Sequence, residues 1–175
     1  MVRKLLDSCI DESTEFGENV KLGFGVVIEK NCKIGNNTMI GHYSILRPNT
    51  IIGDDCKIGH FVVFEGDCKI GNRVSIHPHI IITKGVIIED EVFMAGHTIT
   101  MNDSNMSYLR NEFKPNPPKI KKRARISGGC KILPGIVIGE ESIVGCGSIV
   151  TKSIPDNETW YGTPAKKRNL EIKDA

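Results

Sequence analysis

The sequence predicts an all-β solenoid, short flat strands coiling around a triangular prism, and three observations carry that prediction. From Ile10 onward a large apolar residue returns every six positions: Ile10, Phe16, Leu22, Ile28, Ile34, Ile40, Leu46, Ile52, Ile58, Phe64, Ile70, Ile76, Ile82, Ile88 and Met94. In a chain that is 39% hydrophobic, such a run arises by chance about once in a million trials. Four residues after each of these stands a mostly small or β-branched residue: Thr14, Val20, Val26, Cys32, Thr38, Ser44, Thr50, Cys56, Val62, Cys68, Val74, Ile80, Val86, Val92 and Thr98. One residue after the large position glycine recurs, at Gly17, Gly23, Gly35, Gly41, Gly53, Gly59 and Gly71. A period of six fits neither a helix nor an amphipathic strand, and hexapeptide repeats mark the parallel β-helix. The large residue, position zero, fills the prism near a corner. The small one, position four, packs where walls converge, and glycine is expected to supply an unusual turn φ.

Taken in order, residues 1–9 precede the first complete hexad and predict a short lead-in strand or a cap, with Leu5 and Leu6 to cover the first coil. Five coils then reach about Ile99. The period stops after Thr100, and residues 101–119 form an excluded loop rich in proline and asparagine, with Tyr108 and Phe113 among polar neighbours. A structureless stretch of that length inside a compact domain is usually functional. The repeat resumes two residues out of phase, with Ile120, Ile126, Ile132, Ile138, Val144 and Val150 large and Ala124, Cys130, Ile136, Ser142, Ser148 and Ile154 in the small column. Two further coils bring the total to about seven. Residues 156–175 are left as a tail whose last residues form a short amphipathic helix or fray. The chain, 1–175, reads as one domain.

Composition narrows the function. A net charge of +2 and an aromatic content of 6% give no field and few stacking platforms for nucleic acid. No segment has the ~20 apolar residues of a membrane span, and the charged start, Met1-Val-Arg-Lys-Leu-Leu-Asp7, lacks the apolar core of a secretory leader. Of six cysteines, Cys32, Cys56, Cys68 and Cys130 fall in the small inward column, and no CxxC pair occurs. They read as core thiols of a reduced, cytoplasmic protein rather than as metal ligands.

The hexads, of the form Ile-Gly-x-x-Val/Cys/Thr-x, resemble the hexapeptide-repeat acyltransferases. So does Gly162-Thr-Pro-Ala-Lys166, at the expected distance after the last hexad. The resemblance implies a left-handed parallel β-helix with three hexads to each 18-residue coil, and acetyl-CoA as co-substrate. It also implies a homotrimer in which the excluded loop reaches over a neighbouring subunit and walls the acceptor pocket. Gly96-His97 followed by Asn102-Asp103 resembles the nucleotide-sugar N-acetyltransferases, with Arg110 the nearest match to their following arginine. The acceptor so implied is the amine of a nucleotide-linked amino sugar. O-acetylation of a sugar, an antibiotic or serine is the alternative within the class. A metal-dependent hydratase, for which His42 and His60 are a stacked pair without the expected further ligands, and a non-catalytic scaffold stand outside it.

The candidate residues follow. His97, at position three, should face outward just before the loop departs, and acyl transfer needs a base that titrates near neutrality. His79, 18 residues earlier, should lie one coil below and line the pocket or orient His97, with His77 beside it. Asn102 and Asp103 are placed to orient the acceptor. Ser127, Gly129, Gly145 and Gly147 offer bare backbone on successive turns for a pantetheine arm. By the resemblance, Gly162, Pro164, Ala165 and Lys166 stand beside the adenine and phosphates of coenzyme A. Lys119, Lys121, Lys122, Arg123 and Arg125, with Lys166, Lys167 and Arg168, concentrate positive charge in this third of the chain, a further reason to expect a phosphate-rich cofactor.

Overall fold

A computed structural model describes residues 3–4, 8–106 and 113–168. Three sheets of ten, eight and seven strands form the walls of a prism, here numbered 1, 2 and 3 in the order the chain visits them. Lys21–Leu22 lies on wall 1, Val27–Ile28 on wall 2 and Lys33–Ile34 on wall 3, each paired in parallel with the residues 18 further on. The result is a left-handed parallel β-helix of about eight coils. That is one more than the repeat count predicts, because Arg3–Lys4 already pairs with Lys21–Leu22 on wall 1. No helix occurs among the described residues, so none is long and apolar enough to cross a membrane.

The two columns are where the spacing puts them. Leu22, Ile28, Ile34, Ile40, Leu46, Ile52 and their successors are buried, as are Val20, Val26, Cys32, Cys56, Val62 and Cys68 between them. Each large side chain so buried contributes roughly 1.5–3 kcal/mol. Hydroxyls within the small column bond to backbone, Thr38 Oγ1 donating to the Gly53 carbonyl and Ser44 Oγ to that of Gly59, whereas Thr14 Oγ1, in the first coil, is buried without a partner. Burial pushes the thiols of Cys32, Cys56 and Cys130 up, and that of Cys68 up to about 11, as inert core cysteines require.

The glycines at position one have a different cause from the one expected. Their φ is ordinary, and position three carries the left-handed backbone instead, at Asn19, Asn31, Asn37, Tyr43, Asp55, His79 and His97 among others. Position one needs glycine because the next coil is too close. A Cβ on Gly41 would stand 2.5 Å from the backbone of Gly59, and one on Gly59 2.6 Å from Pro78 N.

The loop leaves from the corner between walls 2 and 3. Ile88 pairs with Ile120, so 14 residues (120 − 88 − 18) are inserted into one coil. Its base is closed: Asn116 N–H donates to the Asn102 carbonyl at 2.7 Å, and Gly135 N–H to the Asn116 carbonyl at 2.8 Å. Lys119 already belongs to the returning strand. Tyr108 and Arg110, like Leu5, Leu6 and the tail beyond Arg168, lie outside the described residues.

The last coil is two residues short. Ile154 bridges to Ile138 and Val144 pairs with Trp160, each 16 residues apart. Ile154 is therefore a rung of the large column rather than of the small one. Thr159–Gly162 extends wall 1 and turns back as an antiparallel hairpin with Ala165–Lys167, so the tail begins as wall.

Candidate active site

One corner of the prism, between walls 1 and 2, collects most of the predicted residues. Among the described residues its turns run Gly23-Phe-Gly25, Gly41-His-Tyr43, Gly59-His-Phe61, His77-Pro-His79, Ala95-Gly-His97, Ser127-Gly-Gly129 and Gly145-Cys-Gly147, with no Asp, Glu, Lys or Arg in any of them. In a chain that is 25% charged, that exclusion marks a surface meant to meet something other than water.

His97 is exposed, at φ 61°, and stacks on His79 with ring centroids 5.1 Å apart and planes 4° from parallel. The two histidines are thus brought together as predicted. Below them Phe61 lies 4.9 Å from His79 and Tyr43 5.4 Å from Phe61, both stacked. Above His97 the column loses its side chains. Gly129 and Gly147 hold the same position in the next two coils, with N–H groups bonded to the Gly96 and Gly128 carbonyls. A Cβ on Gly129 would approach nothing nearer than Gly147 Cα at 3.9 Å, and one on Gly147 would meet nothing within 4 Å. The upper face of the His97 ring therefore opens on a bare-backbone slot two coils tall.

Sequence reasoning missed a second feature of this corner. At position two, Oδ1 of Asn36, Asp54, Asn72 and Asp90 caps the backbone N–H one coil below on the wall 3–wall 1 corner. On the present corner His42 Nδ1 accepts from Phe24 N–H at 2.7 Å and His60 Nδ1 from His42 N–H at 2.9 Å. His42 and His60 are thus backbone caps rather than a ligand pair. Higher up the caps stop: among the described residues nothing accepts from the amides of Gly96, Gly128 and Cys146. Of these unused donors, Gly96 lies in the His97 turn itself and Gly128 in the turn above it. The signal was in the sequence, as glycine replacing a capping side chain at position two.

The remaining candidates divide. Gly162, Pro164 and Lys166 sit on the hairpin above the same corner, and Gly162 N–H donates to Ser148 Oγ at 3.1 Å. Ala165 is buried and belongs to the core. Gly145 leaves room for Tyr161, whose Cβ would lie 2.5 Å from an added methyl. Ser127 shares the corner, its carbonyl accepting from Thr98 Oγ1. Asn102 and Asp103 stand a whole wall away, on the wall 2–wall 3 corner. Asn102 is buried and donates from Nδ2 to the Lys84 carbonyl, and Asp103 Oδ1 accepts from the amides of Asn105 and Met106. Within one chain they shape the loop base.

The basic residues are not one patch. Lys119 pairs with Glu89, Lys121 with Asp156, and Arg123 with Glu140 and Glu141, around wall 3 and its far corner. Lys167 pairs with Glu158. Lys166, exposed and without an ion pair among the described residues, and Arg168, its guanidinium 5.4 Å from the Tyr161 ring centroid, remain at the hairpin.

A prism of hexapeptide coils is the class of fold, and comparison with known proteins adds the family. Residues 6–108 match the family described as the GMPPB C-terminal domain, and the chain belongs to that family. It is 43% identical over 56 residues to a galactoside O-acetyltransferase of Lactococcus lactis, covering 31% of this chain and 27% of that protein. It is 37% identical over 70 residues to a serine acetyltransferase of Buchnera aphidicola, covering 40% and 24%. The matches thus span about a quarter of the length of these relatives. A solved hexapeptide-repeat acetyltransferase from Vibrio cholerae, complexed with acetyl coenzyme A, aligns over 90% of this chain and 72% of its own, at 20% identity and a TM-score of 0.49.

Proposed function

We propose that the protein transfers an acetyl group from acetyl-CoA to the amine of a nucleotide-linked amino sugar, as a cytoplasmic homotrimer. The observation that carries this reading is the bare slot above His97, where two side-chain-free rungs and three unused amides follow a ring that can accept a proton. The pantetheine arm runs along Gly129 and Gly147 toward the hairpin, where Lys166 and Arg168 meet the phosphates. His97 takes the proton of the acceptor amine as its nitrogen bonds to the acetyl carbonyl carbon. The oxyanion so formed accepts from the free Gly96 or Gly128 amide. Collapse breaks the carbon–sulfur bond, and the departing thiolate recovers the proton from His97.

The trimer reading is supported by wall 2. Its outer column, Val27, Ile45, Val63, Ile81, Ile99 and Ile149, is apolar apart from Lys131. It lies between the His97 corner and the corner from which the loop departs. A threefold arrangement brings the loop, with Asn102 and Asp103, to a neighbour's His97, supplying the half of the pocket that one chain lacks.

O-acetylation of a sugar hydroxyl is the second reading, favoured by the likeness to a galactoside O-acetyltransferase. A panel of nucleotide-linked amino sugars and simple glycosides, incubated with acetyl-CoA and followed by thiol release, separates the two. Turnover on the amino sugars is expected, falling by roughly 10²–10⁴ in His97→Ala with fold and trimer mass retained. Thiol release that His97→Ala leaves unchanged would remove the base from this corner.

A further inference from the structure

The proposed base is the top ring of an unbroken stack. Tyr43, Phe61, His79 and His97 occupy position three of four consecutive coils, with ring centroids 4.9 to 5.4 Å apart and neighbouring planes 4° to 12° from parallel. Phe24 closes the lower end edge-on to Tyr43, at 5.5 Å and 77°. All four stacked residues sit at φ between 55° and 61°, a region bulky L side chains rarely adopt. Elsewhere that position takes residues suited to it, such as Asn31, Asn49, Asp67, Gly85 and Gly135 at the wall 2–wall 3 corner. Where Arg73 and Glu91 hold position three at the wall 3–wall 1 corner, an ion pair at 2.7 Å joins them. Among the described residues, only the corner of the proposed active site fills it with rings.

Bases of this kind are commonly held in one orientation by a carboxylate on the other ring nitrogen. Among the described residues no hydrogen bond reaches either ring nitrogen of His97 or His79, whereas His42 and His60 are each tied through Nδ1. What remains to fix an exposed imidazole is the ring beneath it. We infer that Tyr43, Phe61 and His79 are positioning residues, a column that sets the plane of the His97 imidazole so that its free face and nitrogens meet the slot at Gly129 and Gly147. This deepens the reading of His97 as base and rests on it. Phe61 lies two coils below His97.

The test is Phe61→Asn. Asparagine suits the left-handed backbone, so melting temperature should hold or rise while the ring is lost. In the wild type, ¹⁵N relaxation of the His97 ring should report the rigidity of the backbone, and in Phe61→Asn the ring should become mobile. Turnover should fall roughly 10- to 100-fold, as misplacement of a catalytic group does, with KM for acetyl-CoA unchanged and trimer mass retained. Phe61→Tyr, which keeps a flat ring, should restore both ring order and turnover. A His97 ring equally ordered in Phe61→Asn, or a Tyr variant as impaired as the Asn one, overturns the column. So does a fall in mass with activity, which would make these rings a subunit contact. If His97→Ala retains full activity the base assignment fails, while the relaxation measurement still decides whether the column orders the ring.

Discussion

At position three of the hexad one backbone geometry is met in several ways: by asparagine and aspartate, by glycine, and by stacked rings. Only glycine leaves the space outside the corner open, and at Gly147 that space is empty to 4 Å. Gly147→Asn is therefore a selective probe. Asparagine accepts a φ of 67°, so melting should stay within a degree or two of wild type. Acetyl-CoA affinity, by calorimetry, should weaken by roughly tenfold, about 1.4 kcal/mol. Unchanged affinity in a folded variant would take the cofactor's path off Gly147. His97 and the inward cysteines were legible residue by residue, because a strict period fixes which side chains face out. The reason for the position-one glycines was not. It depends on the approach of the next coil, and Tyr43, Phe61 and His97 disguise a left-handed position that asparagine alone would have announced.

At the scale of elements, the three corners have separate characters. The wall 3–wall 1 corner is a polar ladder, and acid should undo it. Lys119 beside Glu89, Arg73 beside Glu91, the Glu140 amide at Asp156, and Lys167 beside Glu158 hold those carboxyls below their usual range. The unfolded chain binds protons more tightly at these sites. Their contribution is therefore complete above the unfolded carboxylate value of about 4 and lost as pH falls through the lower folded values. Melting temperature should be level from pH 8 to about 5 and then decline. A decline already under way at pH 6 to 7 would assign the loss to other groups. These pairs were hidden in the sequence, which shows Lys119 to Arg125 as a basic run and gives no sign that Glu89, Glu140 and Asp156 stand opposite. The hairpin was hidden for a related reason. The final coil is two residues short, so a search in steps of six loses Trp160 and misassigns Ile154.

For the whole molecule, the prism is a rigid ruler that aligns a ring stack, a bare slot and a basic hairpin on one uncharged edge. The architecture was legible because each coil repeats the same arithmetic; the course of the loop was not, since residues 101–118 leave that period. The central claim is that acetyl-CoA lies along this edge, and Cys146 reports on it directly. Cys146 is exposed, between Gly145 and Gly147, while Cys9, the other exposed thiol, lies on wall 2 in the first coil and the remaining four are buried. Native protein should therefore be alkylated at Cys146 while the four buried thiols stay protected. Saturating acetyl-CoA should slow alkylation of Cys146 at least about tenfold and leave Cys9 unchanged. Equal rates at Cys146 with and without acetyl-CoA, in protein shown to bind it, would contradict the account.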